Sequence, residues 1–206
     1  DSQFTHLAWM ETPRLQGGLG DKLAYPLIAD LSRDISSSYG CLQSDGVTVR
    51  ATYIIDDKGS LVDRYDKMFC VGDRTGKTSD LAHYSPGSHF SVFEIKGVRC
   101  GAQICHDFRY DELYREYKIR GVELMFHSYH NARMSAARLQ RYNNIWGVIV
   151  PPTMQAYAAN NFMWISSNNS STPASAWPSF FVRPDGIITA KLNNNRPGVL
   201  LTTVDT

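Results

Sequence analysis

The residue with the clearest chemical potential is Cys105, which lies where an apolar segment ends and a helix is expected to begin. Residues 101–109 read GAQICHDFR, so the thiol follows a strand-like run and precedes a helix predicted from Asp111. A helix N-terminus favours a thiolate, and its free backbone N–H groups can stabilise an oxyanion. The spacing predicts a nucleophile at a strand-to-helix junction. A buried structural cysteine is the alternative, and spacing alone does not decide between the two.

Further polar residues follow the next predicted strand. His127, His130 and Asn131 come just after the apolar segment 122–126. This strand-end position suits the wall of a binding pocket, and capping of a loop is the alternative that the spacing leaves open. Two histidines without a carboxylate at ligand spacing do not indicate a metal centre. We therefore predict no metal site and no cofactor.

The elements that must position these residues alternate between helix and strand. Helices are expected at 4–12, 31–39, 111–120 and 136–145, and strands at 26–30, 47–55, 60–65, 89–95, 98–104, 122–127, 161–167 and 179–182. A hairpin turn is expected at 56–59, where the sequence is DDKG. Apolar strands that alternate with helices indicate a layered α/β protein.

Four segments resemble, in the same order, motifs of the nitrilase superfamily. They are DRYDKMF at 63–69, GAQICHDFRYDELYRE at 101–116, ANNFMWISSN at 159–168 and SFFVRPDG at 179–186. The resemblance implies a nitrilase-like four-layer α-β-β-α sandwich for residues 56–206. It also implies a hydrolase acting on a non-peptide carbon–nitrogen bond, which converts a small-molecule amide or nitrile into an acid and ammonia.

The same resemblance implies roles for individual residues. Cys105 would be the nucleophile that carries a thioester or thioimidate, and Lys67 would stabilise negative charge beside the sulfur. Without the motif, Lys67 would be taken for a solvated surface lysine. The predicted substrate-binding residues are His106, Arg109, His127, His130 and Asn131.

Three charged residues after the cysteine are expected to be mainly structural. Asp107, Arg109 and Glu112 would fix the turn and the helix start by charge-assisted hydrogen bonds. Contact between Arg109 and a substrate carboxylate is the alternative.

Members of the superfamily also use a glutamate as general base, on a strand well before the lysine. Glu11 is the single glutamate that precedes Lys67, so it is the predicted base, at a shorter distance from the lysine than the family pattern implies. A further acidic residue often lies between the lysine and the cysteine. Asp80, in SDLAHYSPG, is the candidate for that position.

The beginning of the chain resembles a different family. Residues 1–40, from DSQFTHLAWMETPRLQGGLG onward, are similar to 2-Cys peroxiredoxins, and Arg50 matches an arginine that supports their reactive cysteine. Neither Cys41 nor Cys70 lies in the Thr/Pro-rich turn that a peroxidatic cysteine needs. We therefore predict a thioredoxin-like α/β segment at 1–55 without a peroxidatic site, joined to a nitrilase-like region at 56–206.

Composition limits the classes of partner. The chain has 206 residues, a formal net charge of +1 and no basic stripe, which argues against nucleic acid. No apolar run reaches the roughly 18 residues of a membrane span, and four sparse cysteines suit a reducing, cytoplasmic location. Because nitrilase-like proteins pair and shortened sheets expose edges, we expect a homo-oligomer. A peroxiredoxin-like thiol peroxidase and a catalytically inactive nitrilase-like assembly protein remain alternative functions.

Overall fold

The computed structural model describes residues 2–13, 27–73, 75, 79–131, 135–141 and 143–205 of the chain. The helices are α1 (Gln3–Glu11), α2 (Asp34–Ser38), α3 (Asp111–Ile119), α4 (Ala136–Arg141) and α5 (Ile145–Asn161). The strands are β1 (Thr48–Val49), β2 (Ala51–Ile55), β3 (Leu61–Asp66), β4 (Tyr84–Ser85), β5 (Val92–Ile95), β6 (Val98–Ile104), β7 (Leu124–Ser128), β8 (Trp164–Asn168), β9 (Phe180–Val182) and β10 (Ile188–Lys191). Two short 3-10 helices span Asp80–Ala82 and Cys105–Arg109.

The β2–β3 hairpin forms where the DDKG turn is predicted. The Asp56 carboxylate accepts hydrogen bonds from the backbone N–H groups of Lys58 and Ser60, at 2.9 and 2.7 Å. Gly59 takes a positive φ of 84°, which a residue without Cβ adopts without strain. The turn aligns the two strands so that Ala51 lies opposite Asp66, directly before Lys67.

The main sheet has six strands in the order β10-β9-β8-β7-β6-β5. The three central strands, β6, β7 and β8, are parallel, and the outer pairs are antiparallel. Parallel strands bring their carboxyl ends to one edge, so Cys105 after β6 and Ser128 at the end of β7 lie at the same edge. This is the edge at which ligands bind in open α/β sheets.

Helices α3 and α5 cover one face of this sheet. Their buried side chains include Tyr114, Tyr117 and Met154, which are fully inaccessible to solvent. Gly101 on β6 allows close approach, because a Cβ there would lie 2.8 Å from the Tyr117 ring. The Tyr117 hydroxyl donates to the Ala102 carbonyl at 2.7 Å. Burial of each such large side chain contributes about 1.5–3 kcal/mol to stability.

Two predicted elements differ from the structure. The helix expected at 136–145 ends at Arg141, and the long helix α5 follows it, with Pro151 and Pro152 inside. Prolines normally interrupt a helix because they lack an N–H and clash with the preceding turn. Here Val150, Met154 and Ala158 are fully buried, so packing on the sheet outweighs the unfavourable propensity. The strand expected at 26–30 is wrong for its described part, since residues 27–30 have no regular structure.

The opposite face of the sheet lines an open groove of about 470 Å³. Phe126, Ser166 and Phe181 form its floor, and residues 198–202 and Val204 form part of its wall. The Trp164 indole N–H donates to the Asp205 carbonyl at 3.2 Å, which ties the C-terminal segment to this face. Among the described helices, none combines the length and the apolar character that crossing a bilayer requires.

Candidate active site

Cys105 is the first residue of a short 3-10 helix that follows β6 directly. Its φ is +51°, in the left-handed region that residues with a Cβ seldom adopt. Such strain persists only where the surroundings enforce it, and it concentrates at functional sites. The side chain is half-buried, and the cysteine is free. The structure therefore places Cys105 at the predicted strand-to-helix junction, and its role as nucleophile stays a prediction.

Asp107 connects the cysteine turn to the segment that carries Lys67. Its buried carboxylate accepts hydrogen bonds from the Tyr65 hydroxyl at 2.7 Å and from the Phe69 N–H at 2.8 Å. It also accepts from the Ile104 N–H at 3.1 Å, directly before the cysteine. Burial raises the pKa of Asp107, against these hydrogen bonds. The expected structural role of Asp107 agrees with these contacts, which hold two distant segments together.

Lys67 is fully buried, and its ammonium binds the Asp80 carboxylate. Asp80 also accepts from the Arg50 guanidinium at 3.2 Å and from the Val71 N–H at 3.2 Å. Burial raises the pKa of the Asp80 carboxyl, but the hydrogen bond and charge of Lys67, with smaller contributions from Val71 and Arg50, lower it overall. Asp80 therefore stays ionised between two cations. Asp80, the candidate acidic residue between the lysine and the cysteine, therefore contacts Lys67 directly.

His127 lies beneath the cysteine turn and is fully buried. Its Nε2 is 3.1 Å from the Cys105 carbonyl, and its Nδ1 is 2.5 Å from the Tyr114 hydroxyl. The Tyr129 ring stacks on the imidazole at 4.3 Å, with 6° between the planes. Burial lowers the pKa of His127 to about 3, and the Lys67 charge acts in the same direction. His127 is therefore neutral and lies behind the nucleophile, not on an open pocket wall as the sequence predicted.

The other predicted substrate-binding residues have different surroundings. His106 is half-buried, and its pKa is lowered by burial and by the charges of Lys67 and Arg109. Arg109 is exposed and lies over the Trp146 ring at 4.6 Å.

His130 is exposed, whereas Asn131 belongs to a hydrogen-bonded loop. The Asn131 N–H donates to the Asn169 side chain at 2.9 Å, and the Asn131 carbonyl accepts from the Ala176 N–H. These contacts agree with the alternative that the residues after β7 organise a loop. Substrate contact by His130 or Asn131 stays a prediction.

Glu11 is the last residue of α1 and is exposed. None of the residues of α1 is buried. Among the described residues, no hydrogen bond or ion pair connects Glu11 to the segments around Cys105 and Lys67. Its role as general base therefore stays a prediction.

Comparison with known proteins decides the family. A family model described as carbon–nitrogen hydrolase matches residues 33–206. The chain belongs to the carbon–nitrogen hydrolase family. A second model, of the AhpC/TSA family, matches residues 1–64, so the two matches overlap over residues 33–64. This chain thus also carries a peroxiredoxin-like segment at residues 1–64, as the sequence indicates.

Solved structures show the nitrilase-type fold. Nit3 of Saccharomyces cerevisiae, a nitrilase-superfamily member, matches with a TM-score of 0.58 and 17% identity over 73% of this chain and 51% of its own. An amidase from Nesterenkonia sp. matches with a TM-score of 0.56 and 21% identity over 72% of this chain and 52% of its own. The chain thus spans about half the length of these proteins.

Peroxiredoxins match the N-terminal segment alone. Peroxiredoxin-4 of Bos taurus is 60% identical over 62 residues, which are 30% of this chain and 22% of the relative. Putative peroxiredoxin ycf42 of Pyropia yezoensis is 56% identical over 59 residues, which are 29% of each chain. The chain thus spans less than a third of the length of these curated relatives.

Several contacts of the site were not predicted from sequence. The Tyr65 hydroxyl on Asp107 and the pair Tyr114 and Tyr129 around His127 had no motif to reveal them. Arg50 was predicted through its peroxiredoxin-like position, yet in this chain it binds Asp80.

Proposed function

We propose that this chain hydrolyses small amides through a covalent intermediate on Cys105, with nitriles as a second substrate class. The observation that carries the proposal is the buried Lys67–Asp80 pair, which is linked to the cysteine turn through Asp107 and Phe69. The strained cysteine would supply the nucleophile, and the Lys67 charge and the N–H groups at the start of the 3-10 helix would stabilise negative charge.

In the proposed reaction, the Cys105 thiolate forms a bond to the amide carbon, and the carbonyl π electrons move to oxygen. The Lys67 ammonium and the His106 backbone N–H stabilise this oxyanion. Collapse of the oxyanion breaks the C–N bond, and the amine leaves with the proton that the base took from the Cys105 thiol. Water then adds to the thioester, the C–S bond breaks, and the acid leaves as the thiol is restored. A nitrile would form a thioimidate, which one water converts into the same thioester with loss of ammonia.

The proposed substrates are small aliphatic amides. The similar amidase from Nesterenkonia sp. AN1 was solved as a cysteine-to-alanine mutant in complex with butyramide. A glutamate-to-glutamine mutant of that amidase carries the acetamide moiety of fluoroacetamide on its active-site cysteine. Fluoroacetamide is therefore a suitable probe for Cys105, since its product is a stable thioether.

The experiment is intact-mass and peptide mass spectrometry after treatment with fluoroacetamide, together with an ammonia-release assay on butyramide. We expect a single adduct, at Cys105, and turnover that Cys105→Ala abolishes. Cys41→Ala is the matched control, because Cys41 lies on the peroxiredoxin-like segment and its thiol donates to the Ser36 carbonyl at 3.3 Å. Labelling spread evenly over the four cysteines, or labelling unaffected by Lys67→Ala, would contradict the mechanism.

The Cys105 thiol needs a proton acceptor before it can attack the substrate. Asp80 is bound to Lys67 and Arg50, so we propose that it positions the lysine and does not take the proton. Glu11 then remains the proposed base. Glu11→Gln should abolish turnover, whereas Glu94→Gln, at another exposed glutamate, should leave it unchanged. Equal turnover in both variants would exclude Glu11 as the base.

One observation favours an inactive assembly protein as the second candidate function. Glu11 is exposed on a helix that buries none of its residues, so no contact brings a base to the cysteine in the part of the chain described here. The absence of turnover in a folded protein that still labels at Cys105 would support this candidate. Turnover that Glu11→Gln abolishes would reject it.

The raised pKa values of two cysteine thiols argue against a peroxidase function. Burial raises the pKa of the Cys70 thiol, and it raises that of Cys100 to about 11. A peroxidatic cysteine needs the opposite shift. Stopped-flow reaction with hydrogen peroxide at the rate of a free thiol would exclude this alternative.

We also propose that the chain forms a homo-oligomer. The outer strands β5 and β10 have no further strand beside them among the described residues, and unpaired edges promote association. Size-exclusion chromatography with light scattering should give a mass above 23.2 kDa. A stable monomer would contradict this proposal.

A further inference from the structure

We infer that His127 is a positioning residue that orients the oxyanion-binding peptide between Cys105 and His106; this rests on the proposed hydrolase function. Because a carbonyl oxygen can only accept, the 3.1 Å contact requires that His127 carry its proton on Nε2 and donate it to Cys105. Nδ1 is then the acceptor for the Tyr114 hydroxyl at 2.5 Å.

The imidazole is held in place on several sides. The Tyr129 ring stacks on it at 4.3 Å and the Tyr114 ring at 6.0 Å, and both rings are nearly parallel to it. The side chain is fully buried, so water does not compete for its nitrogens. His127 also lies opposite Gln103 in the parallel register, two residues before the cysteine. The donor is therefore rigid and aimed at one carbonyl.

Fixing the Cys105 carbonyl also fixes the N–H group on the opposite side of the same peptide. The Cys105–His106 peptide is trans, so the His106 N–H points away from the carbonyl that His127 binds. The N–H groups at the start of a helix have no partner within the helix and are available to a ligand. His127 therefore fixes the direction of the N–H that is proposed to bind the oxyanion.

The hydrogen bond also explains how Cys105 keeps its strained conformation. A φ of +51° disfavours a residue with a Cβ, and a peptide free to rotate would relax. His127 anchors the carbonyl end of the residue, while the Asp107 carboxylate anchors the Ile104 N–H on the other side at 3.1 Å. The side chains of two different elements thus enforce one backbone geometry.

The test compares amide turnover with alkylation of Cys105 by iodoacetamide. Alkylation displaces iodide at a methylene carbon and forms no oxyanion, so it reports thiolate reactivity alone. His127→Phe keeps the stacking ring and removes both nitrogens, whereas His127→Gln keeps an N–H donor. His89→Gln is the control, because His89 pairs with Asp63 on the surface.

For His127→Phe we expect kcat to fall by about tenfold. This loss is smaller than the factor of about 10²–10³ that follows deletion of an oxyanion donor itself. KM and the alkylation rate should stay close to those of the parent chain, and His127→Gln should recover part of kcat. An unchanged kcat would overturn the inference. So would an equal loss of alkylation and turnover, since that pattern reports general damage to the site.

Two measurements keep the inference testable if His127→Phe does not fold or if no amide is turned over. Tyr114→Phe removes the donor to Nδ1 and should lower kcat by a smaller factor. In the parent chain, ¹⁵N NMR should show His127 as the neutral Nε2–H form, since Nε2 donates to the Cys105 carbonyl and Nδ1 accepts from the Tyr114 hydroxyl. The Nδ1–H form or a charged ring would overturn the inference, whereas missing turnover beside the Nε2–H form would reject only the proposed function.

Discussion

The buried ammonium of Lys67 binds the carboxylate of Asp80, and this pair forms across 13 positions of sequence. The lysine side chain is fully inaccessible, while that of Asp80 is 15% exposed. A buried cation without an anion is very unfavourable, so Asp80 is what allows Lys67 to lie inside the protein. The pair links stability to the proposed chemistry, and the predictions below test both.

Removal of the lysine charge should affect folding as well as activity. Lys67→Met keeps the length of the side chain but leaves Asp80 with Arg50 as its remaining cation. We expect the free energy of unfolding to fall by about 3 kcal/mol, as for other broken buried pairs, and amide turnover to be lost. Urea denaturation is the measurement, with Lys58→Met in the exposed hairpin turn as control. Equal stability of the two variants would contradict the buried pair.

Asp80 should make the free energy of unfolding depend on pH under acidic conditions. Because its pKa is lowered in the folded state, its contribution is present above the ordinary value of 3.8 and is lost as pH falls toward the lower folded value. Asp80→Asn should therefore be less stable than the parent chain near neutral pH, and the difference should shrink below about pH 4. Denaturation series at several pH values check this. A difference that grows on acidification would show the opposite sign of the shift.

Arg50 should contribute to activity although it belongs to the peroxiredoxin-like segment. Its guanidinium binds Asp80, and its carbonyl accepts from the Lys67 N–H at 2.8 Å. Arg50→Ala should weaken the positioning of the Asp80 carboxylate and lower kcat by about tenfold. This factor corresponds to about 1.4 kcal/mol, a moderate cost for the loss of a hydrogen bond to a charged group. Arg50→Lys should recover part of the lost kcat. Arg115→Ala, on the exposed side of α3, is the control, and an effect of equal size there would refute a specific role.

Asp107 should be needed for the fold of the site. Asp107→Ala leaves the Tyr65 hydroxyl and the Phe69 and Ile104 N–H groups without their acceptor. We expect a loss of about 3 kcal/mol in unfolding free energy, because unsatisfied buried donors are costly. Asp111→Ala in the exposed first turn of α3 should cost far less. Thermal unfolding of both variants measures the difference, and similar transition temperatures would contradict this role.

Local sequence signals predicted much of the fold. The DDKG turn, the strand 98–104 and the helix after Asp111 are found where turn residues and apolar periodicity place them. These elements depend on residues close in sequence. The helix α5 was missed because its two prolines argue against a helix, and only burial against the sheet overrides them.

The sequence by itself determined the family and the order of its motifs, and it made Cys105 and Lys67 the candidate catalytic residues, because these are properties of residue types at fixed spacings. Tertiary structure decided which groups meet. It brought Asp80 onto Lys67 and Arg50 onto Asp80, and it placed His127 under the Cys105 carbonyl. Such contacts join residues that are far apart in the chain, and their directions depend on strand register and burial. No local pattern in the sequence encodes that geometry.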